Sequence, residues 1–179
     1  MRFARVVLRM AGKGLTVVLL SLALAIALFH FVFQPFQVSG LSMAPTLDDR
    51  DYLLVDRVFF KGGGLKRGDL VVFQHPQDGP FLVKRVVGVE GDVVSIRGGR
   101  VLVNGAPAPN PGPSWGSCPD FGPAAVPAAY VFCLGDNIRQ SQDSRTFGPV
   151  AYQEVYGKVL VRYLPLEKAG PVERAPVVP

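Results

Sequence analysis

Ser42 lies in the run Gly40-Leu41-Ser42-Met43-Ala44-Pro45-Thr46-Leu47, a few residues beyond a long uncharged apolar stretch. A serine hydroxyl becomes a nucleophile only where a neighbouring base takes its proton. The two histidines fit that task poorly: His30 falls inside the apolar stretch and His75 stands in a turn-like His-Pro pair. Lys84 fits better, because it sits in the strand-like run Phe81-Leu82-Val83-Lys84-Arg85-Val86-Val87-Gly88. Burial in such a run disfavours the ammonium, lowers its pKa and frees an amine. An exposed lysine titrates near 10.4 and is free base to about one part in a few thousand at pH 7; a fall of about three units frees roughly half of it. Neighbours on a strand point to opposite faces, so Arg85 is expected to face solvent. Taken singly, each residue has a plainer reading, Ser42 as a turn serine and Lys84 as a surface lysine on an edge strand.

The distribution of charge says what surrounds this pair. The 179 residues carry a net charge of +5. Arg2, Arg5, Arg9 and Lys13 supply positive charge before residue 14 with no acid among them, and the rest is close to balanced, 15 basic against 14 acidic residues. A nucleic-acid surface would need basic residues clustered in the folded part, so no nucleic-acid partner is expected. From Gly14 to Phe33 the chain is apolar and free of Asp, Glu, Lys and Arg. About 20 residues at 1.5 Å each cross the hydrocarbon core of a bilayer. The exit, Phe31-Val32-Phe33-Gln34-Pro35-Phe36, is bulky and unlike a small-residue cleavage site. The stretch therefore predicts a retained single-pass anchor in the cell membrane. Its basic flank places the N-terminus in the cytoplasm and everything after Gln34 outside.

Beyond the anchor the pattern is β. Asp51 to Phe60, Leu70 to Phe73, Phe81 to Val89, Tyr130 to Leu134 and Val155 to Tyr163 are rich in strand formers. Val93 to Arg97 and Arg100 to Asn104, joined by Gly98-Gly99, predict a two-residue hairpin. No other stretch has a helical period. Short strands at this spacing predict a mainly β chain, a single N-terminal transmembrane helix followed by an antiparallel β sandwich or barrel. The divisions expected are a basic N-terminus at 1–13, the helix at 14–33, a β-rich extracytoplasmic domain at 34–168 and a disordered low-complexity tail at 169–179. Residues 105 to 129, rich in Pro, Gly and Ala, are expected to form a long surface loop. Outside the cytoplasm a disulfide between Cys118 and Cys133 is permitted and would pin that loop to a strand; the alternative is two free thiols. No residue set has metal-ligand spacing, no cofactor is implied, and Gly62-Gly63-Gly64 lacks the spacing of a phosphate cradle.

Four segments in order resemble the type I signal peptidases, the serine/lysine membrane proteases that cut leader peptides from exported proteins. They are Ser42 to Leu47, Arg67-Gly68-Asp69-Leu70-Val71-Val72-Phe73, Lys84 to Gly88 followed by Glu90-Gly91-Asp92, and Gly135-Asp136-Asn137-Ile138-Arg139-Gln140-Ser141-Gln142-Asp143-Ser144-Arg145. Val101, Asn104 and Gly105 also fit a turn common in that family. The matches span roughly residues 35 to 165.

The resemblance implies roles. Ser42 would be the nucleophile, Lys84 the general base and Ser141 the group orienting the lysine amine. Asp136, Asp143 and Arg145 would form a supporting polar network. The backbone N–H of Ser42 would donate to the oxyanion. Some family members carry a serine two positions before the nucleophile as second donor; here that position is Gly40, leaving the backbone near Gly40, Ser39 or a water. The last box reads Ile138-Arg139-Gln140 where Arg-Asp-Asn is frequent. Phe36, Val38, Leu47, Leu53, Val72, Leu82 and Val83 would line shallow pockets for small side chains at the first and third residues before the cut, the A-x-A pattern, or would be plain core. The partners implied are preproteins bearing signal peptides, the lipid bilayer and, by proximity, the export translocon. Phe33, Phe36 and Met43 are expected to let the domain dip into the outer lipid surface. Two other classes compete. Self-cleaving repressor peptidases share the dyad on a related β fold, yet carry a helical DNA-binding region for which this sequence has no pattern. A catalytically inactive membrane-anchored β domain that binds a partner would not need Ser42, Lys84 and Ser141 together.

Overall fold

The computed structural model describes residues 2–76, 79–108 and 118–172. Helix α1 (Arg2–Val32) contains one segment, Lys13–Val32, long and apolar enough to cross a membrane, 20 residues of mean hydropathy 2.6 with none of that window buried against the rest of the chain. At Val32 the chain switches from helix to strand, β1 (Phe33–Gln37), with Pro35 on an edge strand, where a missing N–H costs no ladder bond.

All strand pairings are antiparallel. The larger sheet contains β1, β2 (Tyr52–Asp56), β11 (Val155–Leu164), β3 (Leu70–Gln74), β4 (Phe81–Gly88), β9 (Tyr130–Leu134) and β10 (Val150–Ala151), in that spatial order. The smaller contains β7 (Ala106–Pro107), β6 (Arg100–Val103), β5 (Val93–Arg97) and β8 (Phe121–Ala125). The β5–β6 connection is the expected Gly98-Gly99 loop, with positive φ on both glycines as a primed turn requires.

Both faces of the larger sheet are covered, so its central strands read as unbroken apolar runs. The alternation along β3 sorts them: Val72 packs with Leu53, Val83 and Leu47 on one face, while Val71 and Phe73 pack with Val86, Val131 and Cys133 on the other. A third core joins the smaller sheet, through Val94 and Ile96, to Phe132, Leu134 and Ile138.

Several expectations change. The strand expected from Asp51 to Phe60 stops at Asp56, whose carboxylate accepts from the N–H groups of Val58 and Phe59, both at 2.8 Å, and turns the chain into the short helix α2 (Phe60–Gly63). The 105–129 segment is not all loop: β7 and β8 lie at the two edges of the smaller sheet, where Pro107 and Pro123 are tolerated. Gly170 and Pro171 form β12, paired with β11, so the expected disordered tail begins with ordered chain; residues 173–179 and 109–117 lie outside the described residues. Met43 faces the core at 1% exposure and does not face lipid.

Candidate active site

Three segments converge on Ser42. The first is its own turn, where Leu47 N–H donates to Met43 C=O at 2.9 Å and Met43 and Leu47 anchor the turn in the core. The second is β4, which alternates Leu82, Lys84 and Val86 on one face with Val83, Arg85 and Val87 on the other. The third is the loop after β9, from Gly135 to Ser141, entering the helix α3 (Ser144–Phe147).

Lys84 Nζ lies 2.7 Å from Ser42 Oγ, within hydrogen-bonding distance. Lys84 is 2% exposed. Burial pushes its ammonium down from 10.5 to about 8, against the opposing pull of Asp143, Cys133 and Asp136. At that value about a tenth of the amine is free at pH 7. Ser42 itself is half-buried.

The loop after β9 is stitched to the Ser42 turn. Asn137 N–H donates to Ser42 C=O at 2.9 Å, and Thr46 Oγ1 donates to Asp136 Oδ2 at 2.6 Å. Gly135 permits the contact: a Cβ there would meet Ser141 Oγ at 2.3 Å and Ser42 O at 2.6 Å. Ser141 Oγ is buried and has no hydrogen-bond partner among the described residues. Asp143 caps α3, and its carboxylate accepts from Gly135 N–H at 3.1 Å and from Arg145 Nε at 2.8 Å. Arg145 Nη2 also donates to the carbonyls of Ile138 (2.9 Å) and Ser141 (3.2 Å), holding the loop shut.

Asp136 is held separately from that pair. Arg85 is not in solvent as expected but 3% exposed, and its guanidinium forks onto Asp136, Nε to Oδ1 at 2.8 Å and Nη2 to Oδ2 at 2.6 Å. The strand alternation holds; what differs is that the opposite face is also covered, and Arg85 Nη1 donates there to Gly68 C=O at 3.0 Å. Removing one partner of such a pair strands the other charge in the interior. Asp136→Ala is therefore expected to cost about 3–5 kcal/mol of unfolding free energy. Denaturant titration in detergent measures this, and a loss below about 1 kcal/mol would mean the ion pair does not anchor the site.

Of the expected pocket residues, Phe36, Val38, Leu47, Leu53, Val72 and Val83 fall in one apolar cluster. Leu47, Leu53 and Val72 have 0% exposure, and of the six only Phe36 is not buried, so it is the one with surface to offer a ligand. Leu82 lies on the other face of β4, against Phe73 and Val86. The Gly40 N–H donates to Asp49 Oδ1 at 2.8 Å, which commits it away from an oxyanion, and Ser39 is exposed. The disulfide is absent: Cys118 and Cys133 are free, buried thiols in different cores, Cys133 among Val86 and Val131, Cys118 among Ile96 and Val101. Burial pushes both thiols up. Thr46, Arg85 and Gly135 gained no role from the sequence alone. The available signal for Arg85 was a full charge inside an apolar run, which burial demands be paired.

The family profile described as signal peptidase, peptidase S26, matches residues 12–164. A signal peptidase I from Leptolyngbya laminosa is 35% identical over 168 residues, 88% of this chain and 82% of the relative. Signal peptidase I T of Bacillus subtilis is 32% identical over 168 residues, 88% of this chain and 86% of the relative. A crystal structure of a signal peptidase I from Enterococcus faecalis is similar with a TM-score of 0.48 at 29% identity, covering 54% of this chain and 97% of that one.

Proposed function

The chain belongs to the signal peptidase family, peptidase S26, and from that premise we propose that it removes signal peptides by a serine/lysine dyad, through an acyl-enzyme. The 2.7 Å approach of a buried Lys84 to Ser42 carries this reading. Lys84 as neutral amine takes the Ser42 proton while Oγ attacks the scissile carbonyl, then delivers it to the departing amine of the mature protein. Water attacks the resulting ester with Lys84 again as base. The Ser42 N–H donates to the developing oxyanion. Orienting the amine is the role the resemblance assigns to Ser141, whose hydroxyl is buried and makes no hydrogen bond to Lys84 among the described residues. Asp143, Arg145 and Asp136 hold the loop that carries Ser141.

The substrate is a preprotein cut after a small residue, with small side chains at the first and third positions before the cut. Phe36 and the cluster beneath it form the wall those side chains meet. The basic flank of α1 sets the N-terminus in the cytoplasm and the β domain outside, near the translocon. The short path from Val32 to Ser42 then keeps the dyad close to the outer lipid surface.

The test is cleavage of an A-x-A preprotein by the detergent-solubilised full chain, with the new N-terminus read by mass spectrometry. Wild type is expected to cut once, after the small residue, and Ser42→Ala to be slower by about 10³-fold or more. Cleavage retained in Ser42→Ala would remove the nucleophile assignment, and a wild type that cuts no preprotein would put the anchored binding domain in its place.

A further inference from the structure

The turn bearing Ser42 is also tied down at its far end, by the last long strand. Arg162 on β11 stands opposite Leu53 of β2 and Gly170 of β12. Its Nη1 donates to Thr46 C=O at 3.2 Å and to Asp51 Oδ2 at 2.8 Å, and its Nε donates to Lys168 C=O at 2.8 Å. Asp51 is 2% exposed, and its Oδ2 also accepts from Asp48 N–H at 3.0 Å. Lys168, at the end of the 3-10 turn Leu166–Lys168, closes the ring by pairing with Asp48. One guanidinium thus joins three stretches of chain: the Ser42 turn, the approach to β2 and the C-terminal turn.

We propose that Arg162 is a positioning residue for the Ser42–Lys84 pair, with the 166–168 turn as its brace. The inference rests on the dyad reading above. The route is short. Thr46 is the residue whose carbonyl Arg162 holds and whose hydroxyl reaches Asp136, and the Leu47-to-Met43 hydrogen bond carries its position back to the residue next to Ser42. The Ser42–Asn137 bond fixes the other end. With both ends held, Ser42 Oγ stays at the lysine; with the Thr46 carbonyl released, the turn keeps its core anchors Met43 and Leu47 and the Thr46–Asp136 bond but loses the tie from β11 that fixes its far end. Displacements of about 1 Å at reacting atoms cost on the order of 10²-fold in rate. Arginine suits the task because its planar fork serves three acceptors together, which an ammonium on a flexible stem does not.

The experiment compares wild type, Arg162→Ala and Arg162→Lys as full chains in detergent. Arg162→Ala is expected to lose about 10–100-fold in kcat with KM for a peptide substrate nearly unchanged, and Arg162→Lys to recover part of it. The rising limb of the pH–rate profile should move to higher pH, because a loosened turn admits water to Lys84. Desolvation is what holds that amine down, while the nearby carboxylates of Asp143 and Asp136 pull the other way. A role in stability alone would lower the folded fraction and leave the limb in place. NMR titration of ε-13C-labelled lysine, with Lys84 assigned by Lys84→Ala, reads the same shift without substrate. A wild type that cleaves no preprotein would therefore sink the peptidase reading and leave this comparison standing. If Arg162→Ala does not fold, Lys168→Ala decides, since it removes only the half-exposed outer pair; it should shift the limb in the same direction. An Arg162→Ala rate within about 2-fold of wild type, or a Lys84 titration that does not move in the folded variant, overturns the proposal.

Discussion

Lys84→Ala is expected to slow preprotein cleavage by about 10²–10⁴-fold, the range that one positioned general base supplies. Lys84→Arg should be as inactive, because a guanidinium keeps charge and length but does not deprotonate. That second variant separates a base from a cation that merely holds Ser42. The wild-type rate should rise with pH through about 8, where burial places the amine. The linkage to stability has a definite sign. A cation depressed from 10.5 to about 8 is disfavoured when charged in the folded chain, so unfolding takes up a proton between those values. Stability therefore rises as pH climbs from 8 to 10.5, and the cost of the buried ammonium is fully present below 8. Lys84→Met should abolish that slope while removing activity. A pH–rate limb near 8 that persists in Lys84→Arg would assign the titration to another group.

The reason such a lysine can be read from sequence is that its neighbours are apolar on both sides. Phe81 to Gly88 announces burial, and a buried lysine without an acid on its own strand is expensive unless its charge is given up. The long apolar helix, the Gly98-Gly99 hairpin and the central strands were legible for a similar reason, since each is fixed by local pattern. What was not legible depends on the far side of a sheet. Arg85 follows the alternation rule, yet its side chain ends in a closed space because Asp136, 51 residues away, lies there. The prolines of β7 and β8 signal loop in sequence, and only the edge position of those strands reconciles them with a ladder. Asp56 ended a strand-forming run through its side chain, where propensity alone would have continued it. The separation of Cys118 from Cys133 rests on which core each enters, and spacing says nothing about that. Thr46 stands in the nucleophile box, but its partner Asp136 and the clamp from Arg162 come from the last boxes and the last strand.

Gly135→Ala should cost nearly as much activity as loss of the base, although the residue has no side chain to contribute. A methyl there would sit 2.3 Å from Ser141 Oγ, 2.6 Å from Ser141 Cβ and 2.6 Å from the Ser42 carbonyl oxygen. Rotating the Ser141 hydroxyl away does not relieve the clash, because its Cβ at 2.6 Å is still too close, and the Ser42 oxygen is backbone. One of the two segments must retreat. Retreat breaks the 2.9 Å bond from Asn137 to Ser42 or the 3.1 Å bond from Gly135 to Asp143, and it moves Ser42 relative to Lys84. A fall in kcat of about 10²-fold or more is expected, with an overpacking cost of about 1–3 kcal/mol in stability. Gly88→Ala supplies the control. Its methyl would meet Val94 Cγ2 at 2.6 Å and Val126 Cγ2 at 3.2 Å, in the core shared with the smaller sheet. It should cost similar stability and spare kcat per folded molecule. Equal kcat losses in both variants would mean that general loosening of the fold limits the rate; normal kcat in Gly135→Ala would mean that the close approach of Ser141 to the Ser42 backbone plays no part in catalysis. Loss confined to Gly135→Ala places the requirement at the seam between the nucleophile turn and the loop after β9, where the backbone, with no room for a side chain, brings Ser141 to Ser42.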